Sequence, residues 1–187
     1  MNPIEELKTE HEAVKLTLEV LDRIRLEIEE TGGVADPAHL EQLFDFFSVF
    51  VDRCHHGKEE DLLFPALEAV GVSRQGGPIG VMLNEHQQGR DLVAQMKKAL
   101  AQYKDGRSAE AETLAKHARA YIGLLNQHID KENGVLFPIA SQHLSSEKLA
   151  ELKRGFDLIE TDRIGSGKHE AFHRMLDMLK DAYLKTV

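Results

Sequence analysis

The sequence predicts an all-α protein: an antiparallel up-down-up-down four-helix bundle with one or two additional C-terminal helices. Three observations carry this reading. Apolar residues recur at steps of three and four almost throughout, and no stretch alternates with period two for long enough to make a strand. The breaks between apolar stripes are short and rich in Gly and Pro, and short connections favour antiparallel neighbours. With 187 residues, 42% hydrophobic and 29% charged, the chain is large enough to bury a core of its own.

Ile4, Leu7, His11, Val14, Leu18 and Leu21 form one buried stripe on a first helix of about residues 3–30, which Thr31-Gly32-Gly33 ends. Pro37 opens a second helix at a favoured first-turn position, with Leu40, Phe44, Phe47, Val51, His55, Glu59 and Leu62 on or near its inner face. Pro65 is expected to kink or end it. Gly71, Gly76, Gly77 and Pro78 make the next break, and a third stripe runs from Ile79 through Met82, His86, Gly89, Val93, Met96 and Leu100 to Tyr103. Lys104-Asp105-Gly106 closes it. Leu114, His117, Tyr121, Leu124 and His128 carry a fourth helix towards Pro138. Beyond residue 140, Leu149, Leu152, Phe156 and Ile159 suggest a fifth helix, and His169, Phe172, Leu176, Leu179 and Tyr183 a sixth. No linker separates them, so residues 1–140 read as the bundle and 141–187 as an extension packed on the same domain.

Acidic residues outnumber basic ones by 32 to 23, a net charge of −9, which argues against nucleic acid or an anionic membrane as partner. A single cysteine, Cys54, excludes an internal disulfide and a thiolate zinc site and fits a reducing compartment. No apolar run approaches a membrane span, and the acidic start Met1-Asn2-Pro3-Ile4-Glu5-Glu6 is unlike a signal peptide. A cytoplasmic protein is expected. Ten histidines exceed ordinary usage and ask for a reason.

An internal repeat supplies one. His55-His56-Gly57-Lys58-Glu59-Glu60-Asp61-Leu62-Leu63-Phe64-Pro65 matches His128-Ile129-Asp130-Lys131-Glu132-Asn133-Gly134-Val135-Leu136-Phe137-Pro138 at a shift of 73, with His, Lys, Glu, Leu, Phe and Pro at the same offsets. Glu10-His11-Glu12 matches Glu85-His86-Gln87 at a shift of 75. The chain therefore reads as a duplicated helical hairpin, each half giving one His from its first helix and a His-x-x-x-Glu from its second. Residues four apart sit one turn above each other on one helix face, about 6 Å along the axis, so such a pair can serve one metal centre. Counted from the turn of each hairpin, His11 and His55 stand at similar depth, as do His86 and His128. His55 and His86 match less well across the 71–78 loop unless the second helix bends or stops near Pro65.

Six donors pointing into a four-helix core follow the logic of di-metal carboxylate bundles. Imidazole and carboxylate without thiolate suit iron, with manganese or zinc as alternatives. Of about twelve positions on two six-coordinate ions, the histidines, two bridging glutamates and an oxo or hydroxo bridge fill all but about two. An open position on iron is where O2, NO or peroxide would bind.

The order His11, His55-x-x-x-Glu59, His86, His128-x-x-x-Glu132 resembles the hemerythrin-like, or HHE cation-binding, family over about residues 5–140. The resemblance implies a bundle around a non-haem di-iron centre with His11, His55, His86 and His128 as terminal ligands and Glu59 and Glu132 as bridges. Members carry or sense oxygen, respond to nitric oxide or iron, or assist iron-sulfur repair. Two positions depart from the oxygen carriers. Arg90 stands where they have a second third-helix histidine, and Asn133 where they have an aspartate, so reversible oxygen carriage is less secured than iron binding.

Other residues carry a weaker signal. His56 and Glu60 offer the same spacing one residue on, but the repeat aligns them with Ile129 and Asn133; Glu60 is kept as a group behind the ligands. His169 and His173, four apart on the sixth helix, are candidates for an additional ligand, set against a reading as surface histidines. Tyr121, two turns before His128, could hydrogen-bond a ligand at the metals or simply pack the core. Glu5, Glu6, Glu10 and Glu12 read as a solvated first turn suited to the helix dipole. The function expected is binding of O2, NO or peroxide for sensing, carriage or detoxification; the alternatives are a di-iron peroxidase, catalase-like or NO-reducing enzyme, or an iron-responsive regulatory module.

Overall fold

The computed structural model describes residues 2–163, 165 and 167–184, which form six helices and, among the described residues, no strand. Helix α1 spans Pro3–Thr31, α2 residues 37–69, α3 Pro78–Lys104, α4 residues 110–143, α5 Ser146–Arg163 and α6 Lys168–Tyr183. Helices α1 to α4 pack as the antiparallel bundle expected from the short connections.

Local chemistry sets the ends. The Asn2 side chain accepts from the Ile4 backbone N–H, Pro3 occupies the first turn, and Gly32 at φ 75° closes α1 with its N–H on the Ile28 carbonyl. Asp36 caps α2 in the same way, accepting from the Ala38 N–H ahead of Pro37.

Pro65 does not end α2, which runs on to Ala69. The helix takes π geometry over Glu59–Leu63, and the Phe64 N–H reaches back to the Glu59 carbonyl. A wider turn relieves the clash that a proline ring makes with an α-helical carbonyl one turn earlier. The repeat does the same thing again: α4 turns π over Glu132–Leu136, with the Phe137 N–H on the Glu132 carbonyl, immediately before Pro138. A second π stretch, Phe47–His56, lies earlier in α2. These wide turns take up extra residues without lengthening the helix, which brings His55 level with His86 without a break at Pro65.

Two apolar cores fill the bundle, one on each side of a polar layer. Val14, Leu18, Phe47, Val51, Val93, Leu125 and Ile129 belong to the larger; Ile4, Leu7, Leu63, Phe64, Met82, Leu136 and Phe137 belong to the other. His11, His55, Glu59, His86, His128 and Glu132 fall between them on their helices. The C-terminal helices lie along α1 and α2, one beside each core. Phe172, Leu176 and Leu179 of α6 join the larger core, while Leu152 and Phe156 of α5 join the smaller. Arg163 at the end of α5 donates to the Arg53 carbonyl at 3.1 Å and pairs with Asp61. Its guanidinium occupies the space where a side chain at Gly57 would stand.

Phe156 is fully buried, with the Lys58 ammonium 5.6 Å from its ring centroid. Phe156→Ala is expected to cost about 3–5 kcal/mol of stability, read by urea denaturation; a loss below about 1 kcal/mol would mean that α5 is only loosely laid on the bundle.

Candidate metal centre

The layer between the cores is built from two hairpins with the same chemistry. His11 of α1 and His55 of α2 face each other with 3.0 Å between their Nε2 atoms; His86 of α3 and His128 of α4 do the same at 3.1 Å. The glutamates span the two pairs. Glu59 sets one carboxylate oxygen 3.6 Å from His55 Nε2 and the other 3.5 Å from His86 Nε2. Glu132 stands 3.2 Å from His11 Nε2 and 3.3 Å from His128 Nε2. Each carboxylate thus offers one oxygen to each histidine pair.

A second ring of contacts fixes which way every imidazole points. His55 Nδ1 donates to Glu10 at 2.7 Å and His128 Nδ1 to Glu85 at 3.0 Å. His86 Nδ1 donates to Glu60 at 2.7 Å, and His11 Nδ1 to the Asn133 amide oxygen at 3.0 Å. Carboxylate and amide oxygens only accept, so the hydrogen of each neutral ring sits on Nδ1 and the Nε2 lone pair turns inward. The repeat extends further: Lys58 holds Glu10 and Lys131 holds Glu85. Phe137 stacks on His11, centroids 5.3 Å apart, and Phe64 on His86 at 5.9 Å, so each Leu-Phe-Pro motif walls the histidine of the opposite hairpin.

Burial drives the electrostatics. It pushes the Glu59 carboxyl well above its ordinary range, and the charge of Glu132 pushes it the same way. For Glu132 burial acts upwards too, but His128, His11 and His86 outweigh it and hold the carboxylate ionised. Two like charges this close cannot both ionise without cations, so the pair titrates apart. Burial lowers His55 against the pull of Glu10 and lowers His86 against that of Glu60. On His128 it is outweighed by Glu132 and Glu85, and the proton is held more tightly.

The donor set fits cations. All four carboxylate oxygens of Glu59 and Glu132 are buried without a hydrogen-bond partner, and buried carboxylates are otherwise paired or liganded. Two groupings close enough to hold an ion occur there, His11 with His55, Glu59 and Glu132, and His56 with Glu59, His86 and His128. A third, Glu6, Glu10 and Glu160, surrounds the Lys58 ammonium, which takes the place a cation would fill.

The model of the hemerythrin HHE cation binding domain matches residues 2–140. The chain belongs to the hemerythrin HHE cation-binding family. It is 26% identical over 132 residues to an uncharacterized protein of Mycobacterium tuberculosis, an alignment covering 71% of this chain and 50% of that one. It is also 34% and 36% identical over 92 and 93 residues to iron-sulfur cluster repair proteins YtfE of an Enterobacter species and of Musicola paradisiaca, covering 46% of this chain and 40% of each. The chain spans half or less of the length of these curated relatives.

Within this hemerythrin domain the structure brings His11, His55, Glu59, His86, His128 and Glu132 into one layer. Glu60 lies behind His86, held there by Arg90 at 2.6 Å. Tyr121 packs on Phe47 and makes no hydrogen bond to the six. His173 is exposed on α6 and is not brought to the layer; the side chain of His169 lies outside the described residues. Glu10 corrects the reading of a solvated first turn: it is buried, and His55 and Lys58 overcome the effect of burial to keep its carboxylate ionised. The signal was present in the matched Glu10/Glu85 and Lys58/Lys131 positions. His56 had no such signal, because its counterpart is Ile129, yet it is buried beside His86 with a ring centroid separation of 3.8 Å.

The two lysines differ in surroundings. Lys58 is fully buried, whereas the Lys131 side chain is 40% exposed. Lys58→Met is expected to destabilise the metal-free protein by about 3 kcal/mol, because the buried Glu10 carboxylate loses its ammonium partner and keeps only the His55 hydrogen bond. Lys131→Met should cost less than about 1 kcal/mol; equal losses in urea titrations would show that burial does not set the difference.

Proposed function

We propose that this hemerythrin-family chain holds two iron ions, one beside His11 and His55 and one beside His86 and His128, with Glu59 and Glu132 shared between them. Binding of O2, NO or peroxide at an open iron position would then serve sensing, carriage or detoxification. The observation that carries this reading is the set of four buried carboxylate oxygens without a hydrogen-bond donor, facing four inward Nε2 lone pairs. Only cations satisfy such a layer without protonating it. Bound iron supplies Lewis acidity and redox capacity to a small ligand.

The protein's own residues do the rest. Glu10, Glu85, Glu60 and Asn133 fix the tautomer and aim of each imidazole. Phe64, Phe137 and the two cores wall the layer above and below, and the low polarity there strengthens the electrostatic contacts inside it. Similarity to proteins named for iron-sulfur cluster repair supports iron as the metal; manganese and zinc remain alternatives for the same donors.

Metal analysis after anaerobic reconstitution is expected to give about two irons per chain, with charge-transfer bands of a bridged ferric pair on oxidation. Iron should raise the unfolding midpoint of the wild type through its preference for the folded state. Glu59→Gln should leave the metal-free fold within about 1 kcal/mol of wild type, because burial and Glu132 already favour the neutral form of Glu59, and both Glu59→Gln and Glu132→Gln should abolish most of the iron-dependent gain. A wild type that retains no iron and shows no shift in its midpoint would sink the proposal.

A further inference from the structure

Beside the metal layer, between α2 and α3, a cavity of about 160 Å³ is lined by Phe47, Val51, Gly89, Val93, Tyr121 and His56, with Ser48, Asp52, Arg90, Ala94 and Lys97 also contributing. Ala94 and Lys97 are exposed and place its mouth at the surface. Its volume exceeds the roughly 30 Å³ share of one water in the liquid. Gly89 keeps the inner wall thin: a methyl group there would touch Tyr121 and Leu125 at 3.7 Å.

Two buried polar side chains on this wall are unused. Both ring nitrogens of His56 lack a hydrogen-bond partner; the nearest carboxylate oxygen, of Asp52, is 3.7 Å away. The Tyr121 hydroxyl makes no hydrogen bond among the described residues. Charges near the mouth are already engaged, Arg90 with Asp52 and Glu60 at 2.6 Å each and Lys97 with the Ser48 hydroxyl at 2.6 Å. The inner polar groups therefore suit a neutral molecule that both donates and accepts hydrogen bonds. O2 and NO offer little to such groups.

His56 also borders the metal layer, since one of its nitrogens lies within 4.8 Å of ligand atoms of Glu59, His86 and His128. Its ring, however, is stacked on His86 with only 13° between the planes. A metal lies in the plane of an imidazole that binds it, and two stacked parallel rings cannot both contain the same ion. In this arrangement His56 stands between the cavity and the metals as a separate polar group.

Resting on the di-metal reading above, we propose that this cavity is the antechamber through which a small neutral peroxide reaches the centre, held by Tyr121 and handed inward by His56, which is not a metal ligand. The test uses the full chain loaded with iron, with hydrogen peroxide as probe and stopped-flow absorbance as readout. Val93→Phe fills the cavity, and Ala94→Phe plugs its mouth from an exposed position should the first variant fold poorly. Both are expected to slow the second-order reaction by about tenfold or more. His56→Leu and Tyr121→Phe should each slow it by about tenfold through the lost hydrogen bond. All four should keep the wild-type iron content and resting spectrum.

Rates within about twofold of wild type in the plugged variants overturn the route. Lost iron or a shifted resting spectrum in His56→Leu makes His56 a ligand and overturns its assigned part. Xenon-pressurised crystals of the metal-free chain read the chamber independently: a xenon atom beside Val93 and Tyr121, absent in Val93→Phe, is expected, and its absence from the wild type overturns the cavity as a route. If the wild type takes up no iron, it is the metal reading that fails, whatever xenon shows.

Discussion

The structure depends on one constraint: two carboxylates and four imidazoles are buried in a single layer with their lone pairs turned towards each other. Glu59 and Glu132 are fully buried, and no protein donor satisfies their oxygens. Such a layer opposes folding by several kcal/mol per unpaired charge. It persists because the surrounding elements over-determine it. An apolar core closes it on either side, a carboxylate or amide pins each outward Nδ1, and a phenylalanine walls one histidine of each pair. The π turns belong to the same solution, since they set Glu59 and Glu132 on the inner face and absorb the prolines that follow.

Duplication makes the layer economical to specify. One set of contacts, Glu on His Nδ1, Lys on that Glu, Phe on the facing His, is written twice and meets itself across the bundle. Divergence then occurs where the repeat fails. Asn133 and Glu60 occupy equivalent positions and do the same job for His11 and His86, but only Glu60 carries a charge and recruits Arg90. His56 opposes Ile129, so one side of the layer has an extra polar ring and the other an aliphatic wall.

Helix positions, the order of the bundle and the meeting of six side chains were legible in the sequence, because periodicity and the repeat both constrain one face of each helix. What sits behind that face was harder to read. Glu10 looks like any acidic residue near a helix start, and only its pairing with Glu85 in the repeat separates it from solvated Glu12. The continuation of α2 past Pro65 was hidden because the proline rule assumes α geometry, and a wider turn obeys different sterics. His56 could not be found by symmetry, since its position is where symmetry stops. Its burial follows from the earlier π stretch of α2, which no local residue pattern announces.

The unequal burial of Lys58 and Lys131 reaches beyond stability. Both lysines act on a histidine through one glutamate, but the first does so in a dry interior, covered by Phe156 of α5, and the second at the water boundary. The same charge is screened far more on one side than on the other. Two histidine pairs built from matching parts therefore sit at different electrostatic potentials. Helix α5, by keeping Lys58 dry, sets that polarity from outside the bundle.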